Sequence, residues 1–149
     1  MTKFIMLCGL PASGKSAFAA KFVHEFDAII HSSDALRLEL FGDENHQEDN
    51  GKLFQELFRR IKADLAAGKS VIFDACNINF KKRRTPLREL KRFDIEKICC
   101  VIAKPYEDCL RDNRNRNRRV PDYVIKKMRE GFWIPMDCEG WDDIKAQNK

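Results

Sequence analysis

The chain of 149 residues lacks a long apolar run. None of its apolar segments approaches the roughly 20 residues that a membrane-spanning helix needs. The apolar start, residues 3–8, is too short for a signal peptide and runs into Gly9 without a small-residue cleavage site. We therefore expect a cytoplasmic protein that does not enter a membrane.

Cysteine spacing typical of metal sites is also missing. The six cysteines include no Cys-x-x-Cys pair, which argues against a zinc site and against a disulfide framework. Cys99 and Cys100 are adjacent in an apolar run, so in a strand their side chains would point to opposite faces of a sheet. Reduced thiols in a protein core are the interpretation that fits best.

The chain has too many acidic residues for a histone-like coating protein. It carries 28 Lys and Arg against 23 Asp and Glu, a net charge of +5. This mild excess favours an anionic ligand such as a nucleotide or a nucleic acid. Neither an internal repeat nor a long linker divides the sequence, so we expect a single domain over residues 1–149.

Short apolar runs alternate with longer helical patterns along the chain. The predicted strands are residues 4–8, 28–31, 71–73 and 98–102, with an edge strand near 142–146. The predicted helices are residues 15–26, 34–41, 52–67, 80–92, 106–112 and 121–132. Buried strands separated by helices indicate an α/β three-layer sandwich. Its mostly parallel sheet would have about four or five strands, with helices on both faces.

One motif dominates the sequence. Residues 9–16 read Gly-Leu-Pro-Ala-Ser-Gly-Lys-Ser and match G-x-x-x-x-G-K-[ST], the P-loop. Its glycines let the backbone wrap a phosphate with N–H groups pointing inward, and the next helix adds its N-terminal dipole. Lys15 would reach the β- and γ-phosphates, and the Ser16 hydroxyl would bind Mg²⁺. The predicted nucleotide-binding residues are Gly9, Leu10, Pro11, Ala12, Ser13, Gly14, Lys15, Ser16 and Ala17.

A second candidate element follows the second predicted strand. Asp34 and Arg37 lie three residues apart and would share one helical face. Ends of adjacent parallel strands open onto one crevice, so this pair would face the phosphates. It suits a carboxylate that orients or deprotonates a hydroxyl beside a guanidinium that holds an anionic substrate. The alternative is that Asp34 caps the helix and Arg37 is its solvated partner.

The third predicted strand ends in Asp74, which gives it the general shape of a Walker B element. Asp74 is predicted to hold Mg²⁺ through water or to orient Arg37. The alternative is a turn residue at a strand end. Asn77 follows closely, and two interpretations stay open for it: contact with the substrate or support of the loop.

Arginine and asparagine alternate between Arg111 and Arg119 without building an apolar face. This pattern predicts a lid at approximately residues 111–120 that brings cations to the phosphates and excludes water. The alternative is a solvated basic helix. An Asn-Lys-x-Asp element for guanine is missing, which argues against a GTPase, and motor proteins are usually much larger than this chain.

Four segments in this order carry a family resemblance: residues 9–16, Asp34-x-x-Arg37, residues 74–79, and Asn113-x-x-Arg116 followed by Val120-Pro121. With them the chain resembles the kinase domain of phage polynucleotide kinase and its zeta-toxin-like and tRNA-kinase-like relatives among small P-loop kinases. The chain departs from that family at residue 112, where the family often has a basic residue. Asp112 stands there, and Arg111 and Arg114 are candidate substitutes.

The resemblance implies ATP and Mg²⁺ as cofactors and a 5′-hydroxyl as acceptor. It implies that Asp34 is the general base, that Arg37 contacts the acceptor phosphate, and that Arg116 contacts the donor phosphates. Lys15 and Ser16 keep their P-loop roles.

A basic helix follows the Asp74 loop. Seven cations lie within it: Lys81, Lys82, Arg83, Arg84, Arg88, Lys91 and Arg92. Such a patch would neutralise the phosphates of a nucleic-acid strand, and its alternative is a solvated helix face. Substrate contacts are predicted for Lys81, Arg83 and Arg84, whereas Phe80 is expected to pack rather than to stack on a base.

The leading interpretation is an ATP-dependent polynucleotide 5′-hydroxyl kinase that acts on DNA or RNA in nucleic-acid repair. A kinase for the hydroxyl of a small metabolite, nucleotide or antibiotic is one alternative. A non-catalytic binding module gated by nucleotide is the other.

Overall fold

A central β-sheet organises the chain, whose computed structural model describes residues 1–44, 46, 48–75, 77, 79–116 and 119–148. The strands are β1 (Lys3–Cys8), β2 (Ala28–Ser32), β3 (Ser70–Asp74), β4 (Glu96–Ala103) and β5 (Asp143–Asn148). The helices are α1 (Lys15–Phe26), α2 (Ser33–Phe41), α3 (Asn50–Ala66), α4 (Phe80–Glu89), α5 (Tyr106–Arg114) and α6 (Asp122–Glu130). A 3₁₀ turn, Asp137–Glu139, precedes β5.

The five strands lie in the order β2-β3-β1-β4-β5, and every neighbouring pair is parallel. The predicted α/β sandwich is therefore confirmed. α4 ends earlier than predicted, at Glu89, because Leu90 is buried and the chain turns there: Phe93 N–H donates to Leu90 O at 3.1 Å. Within the described residues, no helix is long and apolar enough to cross a membrane.

The sheet is buried on both faces, as alternating side chains of β1 show. Phe4, Met6 and Cys8 pack with α3 on one face, whereas Ile5 and Leu7 pack with α1 on the other. Cys99 and Cys100 divide between the same two clusters, as predicted from their adjacency. Burial of apolar side chains in two layers fixes β1 at the centre of the sandwich.

Strand order determines which segments meet at the carboxyl edge of the sheet. The P-loop follows β1 at the centre, and β3 and β4 flank β1 on its two sides. β2 lies beyond β3, with Ser32 in register with Asp74. The segments that follow β2, β3, β1 and β4 therefore lie side by side along one edge.

Arg83 lies inside the protein and not on the basic face predicted for it. Its side chain is 0% exposed. Its Nε donates to Glu139 Oε1 at 2.9 Å, its Nη2 donates to Glu139 Oε2 at 3.1 Å, and its Nη1 donates to Asn77 O at 3.2 Å. Arg83 shares the inner face of α4 with Pro86, so it cannot meet a strand of nucleic acid. The prediction of a substrate contact at Arg83 is wrong.

The Glu139 carboxylate also accepts hydrogen bonds from two donors other than Arg83. Trp141 Nε1 and the Met136 N–H donate to its carboxylate, both at 3.1 Å. Burial would raise the pKa of Glu139, but the hydrogen bonds from Arg83, Trp141 and Met136 outweigh burial and hold that pKa below its ordinary value. The ion pair thereby ties the turn before β5 to α4.

We predict that Arg83→Met destabilises the protein by about 3–5 kcal/mol, since it leaves the Glu139 carboxylate buried without its cation. Arg84→Met changes the neighbouring, exposed arginine and should shift stability by no more than about 0.5 kcal/mol. Urea denaturation of the two variants measures the difference in the free energy of unfolding. Equal losses in both variants would contradict the assignment of Arg83 to a buried ion pair.

Candidate functional site

The P-loop curls tightly between β1 and α1. Ala12 and Gly14 have positive φ angles of 61° and 93°, and Ser13 N–H donates to Leu10 O at 3.1 Å. Gly9 has no room for a side chain, because a Cβ there would lie 2.8 Å from Ser13 Oγ. Successive backbone N–H groups in such a loop form a concave anion-binding surface at the start of a helix.

The predicted nucleotide-binding residues fall into distinct positions around this loop. Leu10 and Pro11 are buried at its base, whereas Ser16 and Ala17 are exposed on the first turn of α1. Ser13 Oγ is buried and has no hydrogen-bond partner among the described residues. Lys15 Nζ folds back over the loop and donates to Gly9 O at 3.1 Å and to Leu10 O at 2.9 Å.

Asp74 closes β3 beside the P-loop. Ser16 Oγ lies 3.4 Å from its Oδ2. Burial raises the pKa of Asp74, the Asp34 carboxylate adds to the rise, and Lys15 and the Ser16 hydroxyl oppose it. A hydroxyl oxygen and a carboxylate beside a phosphate-binding loop are donors that Mg²⁺ takes together with nucleotide phosphates. The residues present therefore fit a magnesium–nucleotide complex.

Asp34 and Arg37 form a pair on α2. Ser32 caps this helix, because its hydroxyl accepts from Ala35 N–H at 3.2 Å. Asp34 is therefore a residue of the first turn and not the cap that the alternative interpretation required. Arg37 is buried, and its Nη1 donates to Asp34 Oδ1 at 2.9 Å while its Nη2 donates to Asn50 Oδ1 at 3.1 Å. A buried arginine thus orients the carboxylate at the edge of the site.

Asn77 supports the loop after β3. Its Nδ2 donates to Leu7 O and to Ala75 O, each at 3.2 Å, and the Cys8 thiol donates to its carbonyl at 2.8 Å. The side chain is buried, so of the two interpretations left open, loop support matches the structure. Cys76 and Ile78, in the same motif, lie outside the described residues.

Asn113 makes the central contacts of the segment predicted as a lid. Its buried Oδ1 accepts from Val120 N–H at 3.0 Å and from Arg116 Nε at 3.1 Å, and its Nδ2 donates to Val120 O at 2.6 Å. Arg114, by contrast, pairs with Asp122 at 2.7 Å. Asn113 thus joins Val120 to the end of α5 and holds the Arg116 side chain. Asn117 and Arg118, within the predicted lid, lie outside the described residues.

Sequence reasoning missed Lys104. This lysine follows β4, and its Nζ donates to Ala12 O at 2.8 Å and to Asp112 Oδ2. The available signal was its position shortly after a predicted strand, the same signal that identified Asp34 and Asp74. That signal points to the P-loop only when it is known that β4 lies beside β1, the strand before the P-loop.

Comparison with known protein families identifies the family to which this chain belongs. A family model described as an AAA domain matches residues 4–135. The chain belongs to this family of P-loop kinases. The kinase assignment and the nucleotide-binding P-loop agree with the loop, Asp74 and lid described above.

One curated relative aligns with most of this chain. The L-seryl-tRNA(Sec) kinase of Methanococcus maripaludis is 32% identical to this kinase, over 93% of this chain and 55% of that protein. The chain thus spans about half the length of this curated relative.

Solved structures share the fold. One chain in a structure of the Pnkp1/Rnl/Hen1 RNA repair complex aligns with a TM-score of 0.77 and 22% identity, over 85% of this chain and 42% of that one. Chaetomium thermophilum Kti12 in complex with ADP-AlF3 aligns with a TM-score of 0.77 and 17% identity, over 97% of this chain and 88% of that one.

We predict that Arg116→Ala lowers the rate of ATP hydrolysis by roughly 10²-fold, the usual cost of removing a donor that meets transition-state charge. Arg114→Ala is the matched control, since Arg114 pairs with Asp122 at the lid surface and should leave the rate within about twofold of wild type. Release of ADP measured without any added acceptor provides the rates. A larger loss from Arg114→Ala would contradict the lid geometry.

Proposed function

We propose that this kinase, with Mg²⁺, transfers the γ-phosphate of ATP to the 5′-hydroxyl of an RNA or DNA strand. The observation that carries the proposal is the Asp34–Arg37 pair at the carboxyl edge of the sheet. Ser32, two residues before Asp34, is in register with Asp74, and the Asp34 carboxylate raises the pKa of Asp74, so the pair lies near the end of β3.

The donor half of the site is the P-loop with its neighbours. Lys15 moves from the loop carbonyls to the β- and γ-phosphates, which are stronger acceptors for its ammonium. Ser16 and Asp74 would hold Mg²⁺, which would neutralise phosphate charge. Arg116 approaches the same phosphates from the lid, where Asn113 directs it.

The acceptor half consists of Asp34 and Arg37. The Asp34 carboxylate accepts the proton of the 5′-hydroxyl while that oxygen bonds to the γ-phosphorus. The bond from the γ-phosphorus to the bridging oxygen breaks, and ADP leaves. Arg37 keeps Asp34 oriented through the 2.9 Å hydrogen bond.

The outer face of α4 suits a nucleic-acid strand. Lys81 and Arg84 are exposed there, as are Lys82 and Arg88. The Arg84 guanidinium lies 5.9 Å from the centre of the Phe80 ring, and Phe80 is 38% exposed instead of packed in the core. α4 begins only a few residues after Asp74, so this surface starts close in sequence to the end of β3. Cations beside an exposed aromatic ring are the usual features of a single-strand binding surface.

A second acceptor is favoured by one specific observation, the 32% identity to a kinase named for seryl-tRNA(Sec). In that case Asp34 would act on the hydroxyl of a serine esterified to tRNA. The 5′ end of an RNA strand and a serine on tRNA are both hydroxyls carried by RNA. A small-molecule hydroxyl would leave the exposed cations of α4 without a role.

The deciding experiment follows γ-labelled ATP into three acceptors in parallel: a 5′-hydroxyl RNA, the matching DNA, and seryl-tRNA. Asp34→Asn should lower transfer by about 10²-fold or more without weakening ATP binding, because it removes only the general base. Asp94→Asn, at an exposed carboxylate, serves as control.

Label at a 5′ end that depends on Asp34 would support the proposal. Label on seryl-tRNA alone would establish the second acceptor in its place. ATP binding without transfer to any of the three would contradict both.

Replacing Lys81 and Arg84 together with glutamine should weaken binding of a single-stranded oligonucleotide. It should also reduce the slope of log affinity against log salt by about 0.7 for each phosphate that the variant no longer neutralises. Lys126→Gln with Lys127→Gln removes the same charge from the exposed face of α6. Fluorescence anisotropy at several salt concentrations measures both double variants, and identical slopes would rule out binding along α4.

A further inference from the structure

Lys104 is a buried lysine between the P-loop and α5. It follows Ala103, the last residue of β4, and its side chain is only 9% exposed. The ammonium has two partners, the carbonyl of Ala12 at 2.8 Å and the carboxylate of Asp112. Because a buried charge is costly unless it is paired and hydrogen-bonded, these two partners account for its position.

On one side, Lys104 stabilises the phosphate-binding shape of the P-loop. Lys104 holds the carbonyl of Ala12 and keeps it when Lys15 leaves the carbonyls of Gly9 and Leu10 for the phosphates. Ala12 has a φ of 61°, a left-handed conformation that a residue other than glycine adopts only at a cost. A carbonyl held by an ammonium cannot turn toward a phosphate, which leaves the loop's N–H groups to face the anion.

On the other side, Lys104 holds α5 through Asp112, the residue next to Asn113. Asp112 directly precedes Asn113, whose Oδ1 accepts from Arg116 Nε at 3.1 Å. Hydrogen bonds from Lys104 and then Arg111 lower the pKa of Asp112, so the carboxylate stays charged near neutral pH. A continuous series of contacts therefore runs from Ala12 through Lys104, Asp112 and Asn113 to Arg116.

We propose that Lys104 is a positioning residue that sets the lid arginine, Arg116, relative to the P-loop. Asp112 is the carboxylate that makes the link possible. The proposal rests on the donor half of the proposed function and is independent of which hydroxyl accepts the phosphate.

The test uses ATP hydrolysis without an acceptor, together with ADP affinity and the thermal midpoint. Lys104→Met should lower kcat about tenfold and weaken ADP binding, since it removes a hydrogen bond from the loop and another from the lid. Asp112→Asn should lower kcat similarly but leave ADP affinity unchanged, because Lys104 remains on Ala12. Lys104→Arg should recover most of the loss, and Lys69→Met, at an exposed lysine before β3, should match wild type.

A double variant that includes Arg116 distinguishes a positioning role of this link from a role in stability alone. Adding Arg116→Ala to Asp112→Asn should lower kcat little further than Arg116→Ala alone, as expected for residues that act through one another. Multiplicative losses in the double variant would overturn the proposal, and so would a lower thermal midpoint with unchanged kcat. The Asp112 variants retain Lys104, so the test stands even if Lys104→Met does not fold. Since no nucleic acid is present, failure of the RNA acceptor leaves this result unaffected.

Discussion

The parallel pairing of β1 with β3 on one side and β4 on the other is the constraint on which the rest of the structure depends. It places the P-loop at the centre of the carboxyl edge, with Asp74 on one flank and Lys104 on the other. Pairing of β2 with β3 adds the Asp34–Arg37 pair outside Asp74. Chemistry drawn from four distant segments of the chain is therefore assembled by backbone hydrogen bonds and buried apolar side chains.

Charge is distributed unevenly around this edge. Lys15 and Lys104 hold carbonyls of the P-loop, Asp74 ends β3, Asp34 follows β2, and Asn113 holds Arg116 after α5. Each charged group is held by another residue: Asp34 by Arg37, Arg116 by Asn113, and Lys104 by Asp112. Such preorganised groups need little rearrangement when charge develops on a transferring phosphate, which is how phosphoryl transfer is accelerated.

Sequence patterns predicted the fold well because buried strands and capped helices leave local signals. The helix over residues 15–26 was predicted with its exact ends, and the P-loop needed no further context. Asp34 was ambiguous, because Ser32, Ser33 and Asp34 are all good cap residues and only the backbone shows that Ser32 is the cap. Arg83 was misplaced because its partner, Glu139, lies 56 residues away, and Lys104 was missed because strand order is not a local property.

The most direct test of the proposed mechanism is a crystal structure with ADP, an aluminium fluoride mimic of the γ-phosphate, Mg²⁺ and a 5′-hydroxyl RNA. General-base catalysis by Asp34 predicts that the 5′-oxygen lies about 2.6–3.2 Å from the Asp34 carboxylate. In-line transfer predicts that this oxygen is collinear with the mimic and the ADP bridging oxygen. A 5′-hydroxyl bound away from Asp34, with Asp34 still turned to Arg37 alone, would contradict the mechanism.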